Sequence, residues 1–301
     1  MQTELHSHGA AVLVGPDQPF VLIGERINPT GRKKLGAQMA EGDFTLVRRD
    51  ALAQVAAGAR VLDVNAGYPL GDEVTMLREA VRAIQEVTDV PLCLDSSRID
   101  ALEAALSVYS GKALVNSVTG EESRLESILP LIRKHGCAVI GLVSDEAGIS
   151  NDPEARLAVA RKIVNRAQDY GIPACDVILD PLCLAVATEP RSALVTLETM
   201  RRIRDELDVN QCCGASNISF GLPDRTALTS AFLPMAILCG LTCAIADATQ
   251  PIVREAALAS DVLCGRDEYA GRWLAQYREK RKAMDEASNH LSSATPDHVR
   301  A

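Results

Sequence analysis

Eight short apolar runs rich in β-branched residues recur along this chain, at 21–26, 61–65, 92–95, 113–116, 138–143, 177–180, 214–217 and 244–247, and most close on Asp or Asn. Between and after them lie eight stretches with apolar residues at three- and four-residue spacing, at 44–58, 73–88, 99–110, 124–135, 153–171, 192–207, 226–240 and 250–263. Leu125, Ile128, Leu129 and Ile132 show the spacing clearly, the mark of a helix with one buried face. Eightfold alternation of strand and helix restricts the fold to a parallel α/β architecture. If the strands close into a barrel, their C-terminal ends rise to one rim, and the Asp and Asn side chains converge on a single polar mouth.

The connections support closure. Helix-to-strand returns are short and marked by Gly58, Pro91, Gly111, Gly136, Pro173 and Gly240, as C-capping requires. Strand-to-helix loops are longer, notably 27–43, 66–72 and 144–152, and in a (β/α)8 barrel these build the active face. A doubly wound open sheet is the alternative, but no Gly-x-Gly-x-x-Gly follows a strand run. The expectation is an α/β, single-domain (β/α)8 TIM barrel over residues 19–284, with a flexible N-terminal arm at 1–18 and a disordered tail at 285–301.

Bulk properties exclude several function classes. A net charge of −9 disfavours a nucleic-acid surface, which needs clustered Lys and Arg. No apolar stretch reaches the roughly 18 residues of a membrane span, and the start of the chain lacks a basic region followed by a long apolar one. The nine cysteines include several inside apolar runs, such as Cys93, Cys137, Cys183, Cys239 and Cys243, which suits buried small side chains in a reducing cytoplasm better than a disulfide framework.

Asp95, Asn116 and Asp180 close three different strands. A carboxylate can accept paired bonds from a ring N–H and an adjacent exocyclic amine, and an amide complements the donor and acceptor that remain. The competing reading is that each merely caps the helix that follows. Asp63 and Asn65 share one face by the period of two and either meet a ligand or support those that do. Glu25 and Arg26 end the first strand, where an internal bond across the barrel competes with ligand contact. In 214–221, Gly214 lets a ring approach the backbone while Ser216 and Asn217 offer neutral polar atoms. Arg225 could meet an anionic tail or simply face water. The five histidines, His6, His8, His135, His290 and His298, are terminal or at a helix end, so neither a His-based metal site nor a Ser-His-Asp triad assembles; no protein-bound metal is expected.

These runs resemble the pterin-binding methyltransferases that move a methyl group between tetrahydrofolate and a protein-bound corrinoid. The resemblance is carried by Gly24-Glu25-Arg26-Ile27-Asn28, Leu62-Asp63-Val64-Asn65, Cys93-Leu94-Asp95-Ser96, Val115-Asn116-Ser117, Leu179-Asp180-Pro181, Ser216-Asn217-Ile218-Ser219 and Ala244-Ile245-Ala246-Asp247, in family order over about residues 20–265. It implies that Asp95, Asn116 and Asp180 hold the pterin ring. It further implies that Asn217 bonds near N5, the nitrogen bearing the methyl group, with Gly214, Ser216 and Arg225 on the same side. Asp63, Asn65 and Glu25 would form the supporting network. Where the acetogen type carries Gln, this chain has Phe220, like the methionine synthase type.

The resemblance also implies tetrahydrofolate or 5-methyltetrahydrofolate as substrate and a corrinoid (cobalamin) cofactor brought by a partner. No Asp-x-His-x-x-Gly corrinoid-ligating motif is present, so the corrinoid would ride on a separate protein docking over the barrel mouth, with outer helices free for a homodimer contact. Two alternatives remain. A dihydropteroate synthase-like enzyme shares the barrel, but its Asn-Val-Thr-Pro-Asp-Ser-Phe signature is replaced here by Ile27-Asn28-Pro29-Thr30-Gly31. A non-catalytic folate-binding barrel would have no need of Asn217.

Overall fold

A computed structural model describes residues 1–293. The chain opens with a hairpin of β1 (Thr3–His6) and β2 (Ala11–Val14), followed by β3 (Val21–Ile27), α1 (Lys33–Ala40), α2 (Thr45–Ala56), β4 (Val61–Asn65), α3 (Glu73–Gln85), β5 (Leu92–Asp95), α4 (Ile99–Leu106) and β6 (Leu114–Thr119). It continues through α5 (Glu122–His135), β7 (Ala138–Leu142), α6 (Pro153–Asp169), β8 (Val177–Asp180), α7 (Ser192–Leu207), α8 (Arg225–Cys239), β9 (Cys243–Ala246), α9 (Pro251–Leu263) and α10 (Gly271–Ser293). Strands β3 to β9 form one parallel sheet in the order β8-β7-β6-β5-β4-β3-β9.

The gap between β8 and β9 is filled by residues 210–214. Their backbone bridges Leu179 to Gln211 and Gly214 to Ile245, with Cys212 N donating to Leu179 O at 2.9 Å and Ile245 N to Cys213 O at 2.9 Å. The barrel therefore closes with eight staves. The run expected as the seventh strand, 214–217, is displaced: residues Ala215–Ser219 form a 3-10 turn, and the stave lies just before it. A segment with Asn210 and Gln211 has no alternating apolar signature, so the sequence pattern marked the loop instead.

Side-chain alternation sorts the strands into two environments. Inward-facing Val21, Ile23, Val61, Cys93, Leu114, Ala138, Ile140, Ile178, Cys212 and Cys243 make the barrel interior. Outward-facing Leu62, Val64, Leu92, Leu94, Val115 and Val139 pack under the helices. Gly24 leaves room for a side chain of α2: a Cβ there would sit 2.5 Å from Gln54 Oε1, the atom that accepts the Arg26 N–H at 2.8 Å.

Two expectations about the termini need correction. The first 18 residues are not a loose arm: Leu5, Val12 and Val14 join the barrel interior from below. Asn210 Nδ2 ties the hairpin in, donating to Thr3 Oγ1 at 2.9 Å and Val14 O at 3.0 Å. The barrel's lower opening is apolar, and the hairpin removes it from water. The tail placed at 285–301 begins inside α10, which runs to Ser293 because 279–287 is almost entirely strong helix formers; residues 294–301 lie outside the described part. The loop expected at 27–43 also contains an extra helix, α1.

Candidate active site

The period of two that sends Val61, Cys93, Leu114 and Ile178 inward also sends Asp63, Asp95, Asn116 and Asp180 inward one step further along each strand. Above the apolar interior they line a cavity of about 720 Å³ together with Glu25, Leu142, Gly214, Ser216, Asn217, Phe220, Arg225 and Ile245. That size suits a bicyclic ring with a substituent.

The acids and amides are connected. Asn65 Nδ2 donates to Asp95 Oδ2 at 2.9 Å, and Asn116 Nδ2 to Asp63 Oδ1 at 3.3 Å. Asn65 itself does not line the cavity; its Oδ1 accepts from Gly67 N at 2.8 Å, so it orients Asp95. Asp63 does line it. Ser216 Oγ donates to Glu25 Oε1 at 2.9 Å, joining the first stave to the seventh.

Burial leaves these carboxyls short of solvation. Asp180 is pushed up to about 7 and Asp95 to about 6, each chiefly by desolvation. Asp63 is raised well above the carboxylate range by burial and then by the charge of Asp95; burial raises Glu25 as well. Buried acids of this kind gain most from a ligand that presents N–H donors.

Asn217 stands at the edge of the 3-10 turn with its amide over Gly214: a Cβ on Gly214 would be 2.8 Å from Asn217 Nδ2. Among the described residues no protein group bonds to that amide, so it is available to the cavity it lines. Arg225, the first residue of α8 rather than a loop residue, donates through Nη2 to Ser216 O at 2.8 Å and lies 5.5 Å over the Phe220 ring. It props the turn that carries Asn217. Phe220, 63 % exposed, sits at the rim.

Not every strand-end acid faces the cavity. Asp247 Oδ1 accepts from Thr249 N at 3.0 Å, an Asx turn in the loop before α9 rather than a cap on that helix, whose N-cap is Gln250, and it lies in a smaller side pocket with Glu25 and Arg26. Asp180 makes a similar loop turn, its Oδ1 accepting from Leu182 N at 2.7 Å, while the group also lines the cavity.

Several contributors escaped the sequence reading. Leu142, Leu182 and Ile245 form apolar walls, and Arg32 joins the lip made by the expected Arg26, Asn28, Thr30 and Gly31. Arg156 is wholly buried, donating to Ser150 O at 2.6 Å, Pro181 O at 2.7 Å and Leu182 O at 2.8 Å. It holds the loop after Asp180, where Leu182 adopts φ 63°. A signal existed: Arg156 shares the buried stripe of α6 with Ala160, Ile163 and Ala167, an odd place for an arginine without internal partners. Among the described residues no three His, Cys, Asp or Glu side chains are grouped to hold a metal ion.

The chain is a closed (β/α)8 barrel with buried acids and amides on its strand ends, the architecture in which the mouth serves as the active face. Residues 24–247 match the family described as pterin binding enzyme, and the chain belongs to that family. It is 30 % identical over 268 residues to a methylcorrinoid:tetrahydrofolate methyltransferase of Eubacterium limosum, covering 86 % of this chain and 97 % of that one. A methionine synthase of Mycobacterium tuberculosis is 30 % identical over 80 % of this chain, which spans only 21 % of that protein. Among solved structures, a Yersinia pestis dihydropteroate synthase with a pterine-sulfa conjugate superposes at TM-score 0.66 and 16 % identity, covering 87 % of this chain and 98 % of that one. A Thermus thermophilus dihydropteroate synthase does so at 0.62 and 23 %, covering 86 % and 99 %. At those identities the likeness establishes the fold.

Proposed function

We infer that this protein is a methyltransferase that moves a methyl group between N5 of tetrahydrofolate and a corrinoid carried by a separate protein. The observation that supports the reading best is the joint presence of a full-length methylcorrinoid:tetrahydrofolate methyltransferase relative and a cavity that sets Asn217 beside Asp95, Asn116 and Asp180.

The pterin ring fits the donor set. Asp180 and Asp95 accept its N–H and exocyclic amine protons, and Asn116 meets the remaining polar atoms. Apolar Leu182, Leu142 and Ile245 border the flat faces. Charge-assisted bonds to carboxylates that burial has desolvated fix the ring rigidly, which orients N5 toward the open mouth for in-line transfer.

Asn217 does the chemistry-linked work. A neutral tertiary amine is a poor methyl donor, because an anionic nitrogen would have to leave, so methyl donation from N5 requires a proton or a strong hydrogen bond there as the transition state forms. An amide can accept from protonated N5 through its oxygen or donate to the free amine through its nitrogen, and so serves both directions without changing charge. The corrinoid supplies the cobalt centre that gives or takes the methyl group. Its large ring would lie over the rim near Phe220.

The protein works as a homodimer in the cytoplasm. In support of self-association, the outer face of α8 presents Leu228, Met235 and Leu238, the last 70 % exposed, beside Leu263 of α9 at 86 %, an apolar stripe of the kind that becomes an isologous interface. The nine cysteines are all unbridged, as a reducing compartment favours. Among the described residues no helix is long and apolar enough to cross a membrane.

An anaerobic assay with methylated corrinoid protein and tetrahydrofolate tests the reaction. The expected result is a change in corrinoid absorbance with formation of 5-methyltetrahydrofolate, dependent on tetrahydrofolate and abolished in Asn217→Ala while folate binding is retained. Folate binding without turnover on any corrinoid would refute the enzyme in favour of a binding barrel.

A further inference from the structure

At the foot of the barrel, away from the mouth, a cavity of about 330 Å³ lies among the C-terminal ends of α7, α8 and α9. Val209, Ile237, Leu238 and Leu263 make its apolar wall. Asn210, at the start of the seventh stave, and Arg266, just beyond α9, supply polar lining. None of its residues borders the main cavity, so the two are separate.

Two buried polar groups at this cavity lack partners. The Arg266 side chain is only 11 % exposed, yet among the described residues no nitrogen of its guanidinium donates a hydrogen bond, and Nη1 is sealed from solvent without an acceptor. Its ion-pair partner, Asp261, lies 4.0 Å away and is already engaged by Phe20 N at 3.0 Å and Arg272 Nη2 at 3.0 Å. Asn210 is 1 % exposed; its Nδ2 is fixed by the hairpin, which leaves Oδ1 buried with no donor. The other charged lining residues are matched: Arg204 to Asp205 at 2.7 Å and Asp208 to the Met1 amino group at 3.6 Å. Buried polar atoms are paired as a rule. Water answers poorly here, since the space is several times the roughly 30 Å³ of one water and four wall residues offer it no hydrogen bond.

We propose that this cavity binds a free α-amino acid with an apolar side chain. An unmet cation and an unmet acceptor on one apolar cavity ask for a ligand with an anion, an N–H donor and an apolar body. The carboxylate pairs with Arg266, the ammonium donates to Asn210 Oδ1, and the side chain packs on Ile237, Leu238 and Leu263. The site stands independently of the methyltransferase reading.

The test is calorimetric titration of the full chain with L-leucine, with 4-methylpentanoate, which lacks the ammonium, and with 3-methylbutylamine, which lacks the carboxylate. Leucine should bind, and each truncated analogue should bind about tenfold more weakly or less. Arg266→Gln, which leaves Arg272 to Asp261, should weaken leucine about tenfold and leave pterin affinity unchanged. Leu238→Asp, at a position 70 % exposed and therefore tolerant of substitution, should abolish binding by repelling the carboxylate. No leucine binding in the millimolar range overturns the site and leaves a water-filled cavity. Equal affinity for leucine and 4-methylpentanoate overturns the amino-acid assignment, and displacement of leucine by a pterin places it in the main cavity instead. Leucine affinity that disappears as the protein self-associates overturns the site in favour of a cavity filled by a second copy, because Leu238 and Leu263 also belong to the stripe assigned to that contact.

Discussion

Replacing Asp180 by Asn separates the two consequences of burying an acid in the barrel mouth. In the folded protein burial holds this carboxyl at about 7, against an ordinary value of 3.8. Between those limits the folded state keeps a proton that the unfolded state has released, so stability falls as pH rises from about 4 to 7 and the full penalty stands above 7. It amounts to about 4 kcal/mol at pH 8. Asn retains an oxygen for the Leu182 N–H but carries no charge to desolvate. Asp180→Asn should therefore raise the melting temperature at pH 8 by about 6 °C for a chain of this size, and the difference should vanish near pH 4.

Ligand binding should move the other way. Loss of a charged hydrogen bond weakens pterin affinity by about 10- to 100-fold at pH 8. In the wild type, affinity should drop about tenfold between pH 8 and pH 6 as Asp180 takes up its proton, and the variant should lose most of that slope. Thermal melts across pH, paired with calorimetric titration of a pterin, read both. A variant no more stable than wild type at pH 8 would refute the argument that desolvation sets the state of this acid.

Gly214→Ala places a methyl 2.8 Å from Asn217 Nδ2; displacing that amide should lower kcat about tenfold with little change in folate Kd, as single-turnover kinetics would show. Arg156→Met removes three carbonyl bonds behind Asp180 and should cost about 3 kcal/mol of stability in denaturant melts and loosen pterin binding, without moving the salt dependence of affinity. Leu5→Ala empties a wholly buried site at the barrel's lower end and should cost about 3 kcal/mol, whereas a loose arm would give no change.

What was legible locally and what was not can be seen residue by residue. Asp63, Asp95, Asn116 and Asp180 were visible because strand alternation is a local property: a polar residue two positions beyond an inward Val61, Cys93, Leu114 or Ile178 must also point inward. Asp247 obeys the same pattern, but its carboxylate turns to Thr249, a choice made by the short loop into α9. Gln54 looked like an ordinary helical residue and Arg156 stood out only as an arginine on a buried stripe, since the Arg26 N–H and the carbonyls of Pro181 and Leu182 that they serve lie more than twenty residues away.

The sequence by itself determined the alternation of strand and helix, the helix boundaries to within a few residues, the parallel barrel and the polar rim, since all follow from hydrophobic period and capping. Tertiary structure alone decided how the barrel is sealed. The stave at 210–214 forms because β8 and β9 offer unpaired backbone on either side, not because its residues prefer a strand. The N-terminal hairpin folds because an apolar barrel floor is there to be covered. Proton affinities belong to the same category: Asp180 and Asp95 differ from surface aspartates through the low-dielectric enclosure that eight staves create together, and no local pattern encodes an enclosure.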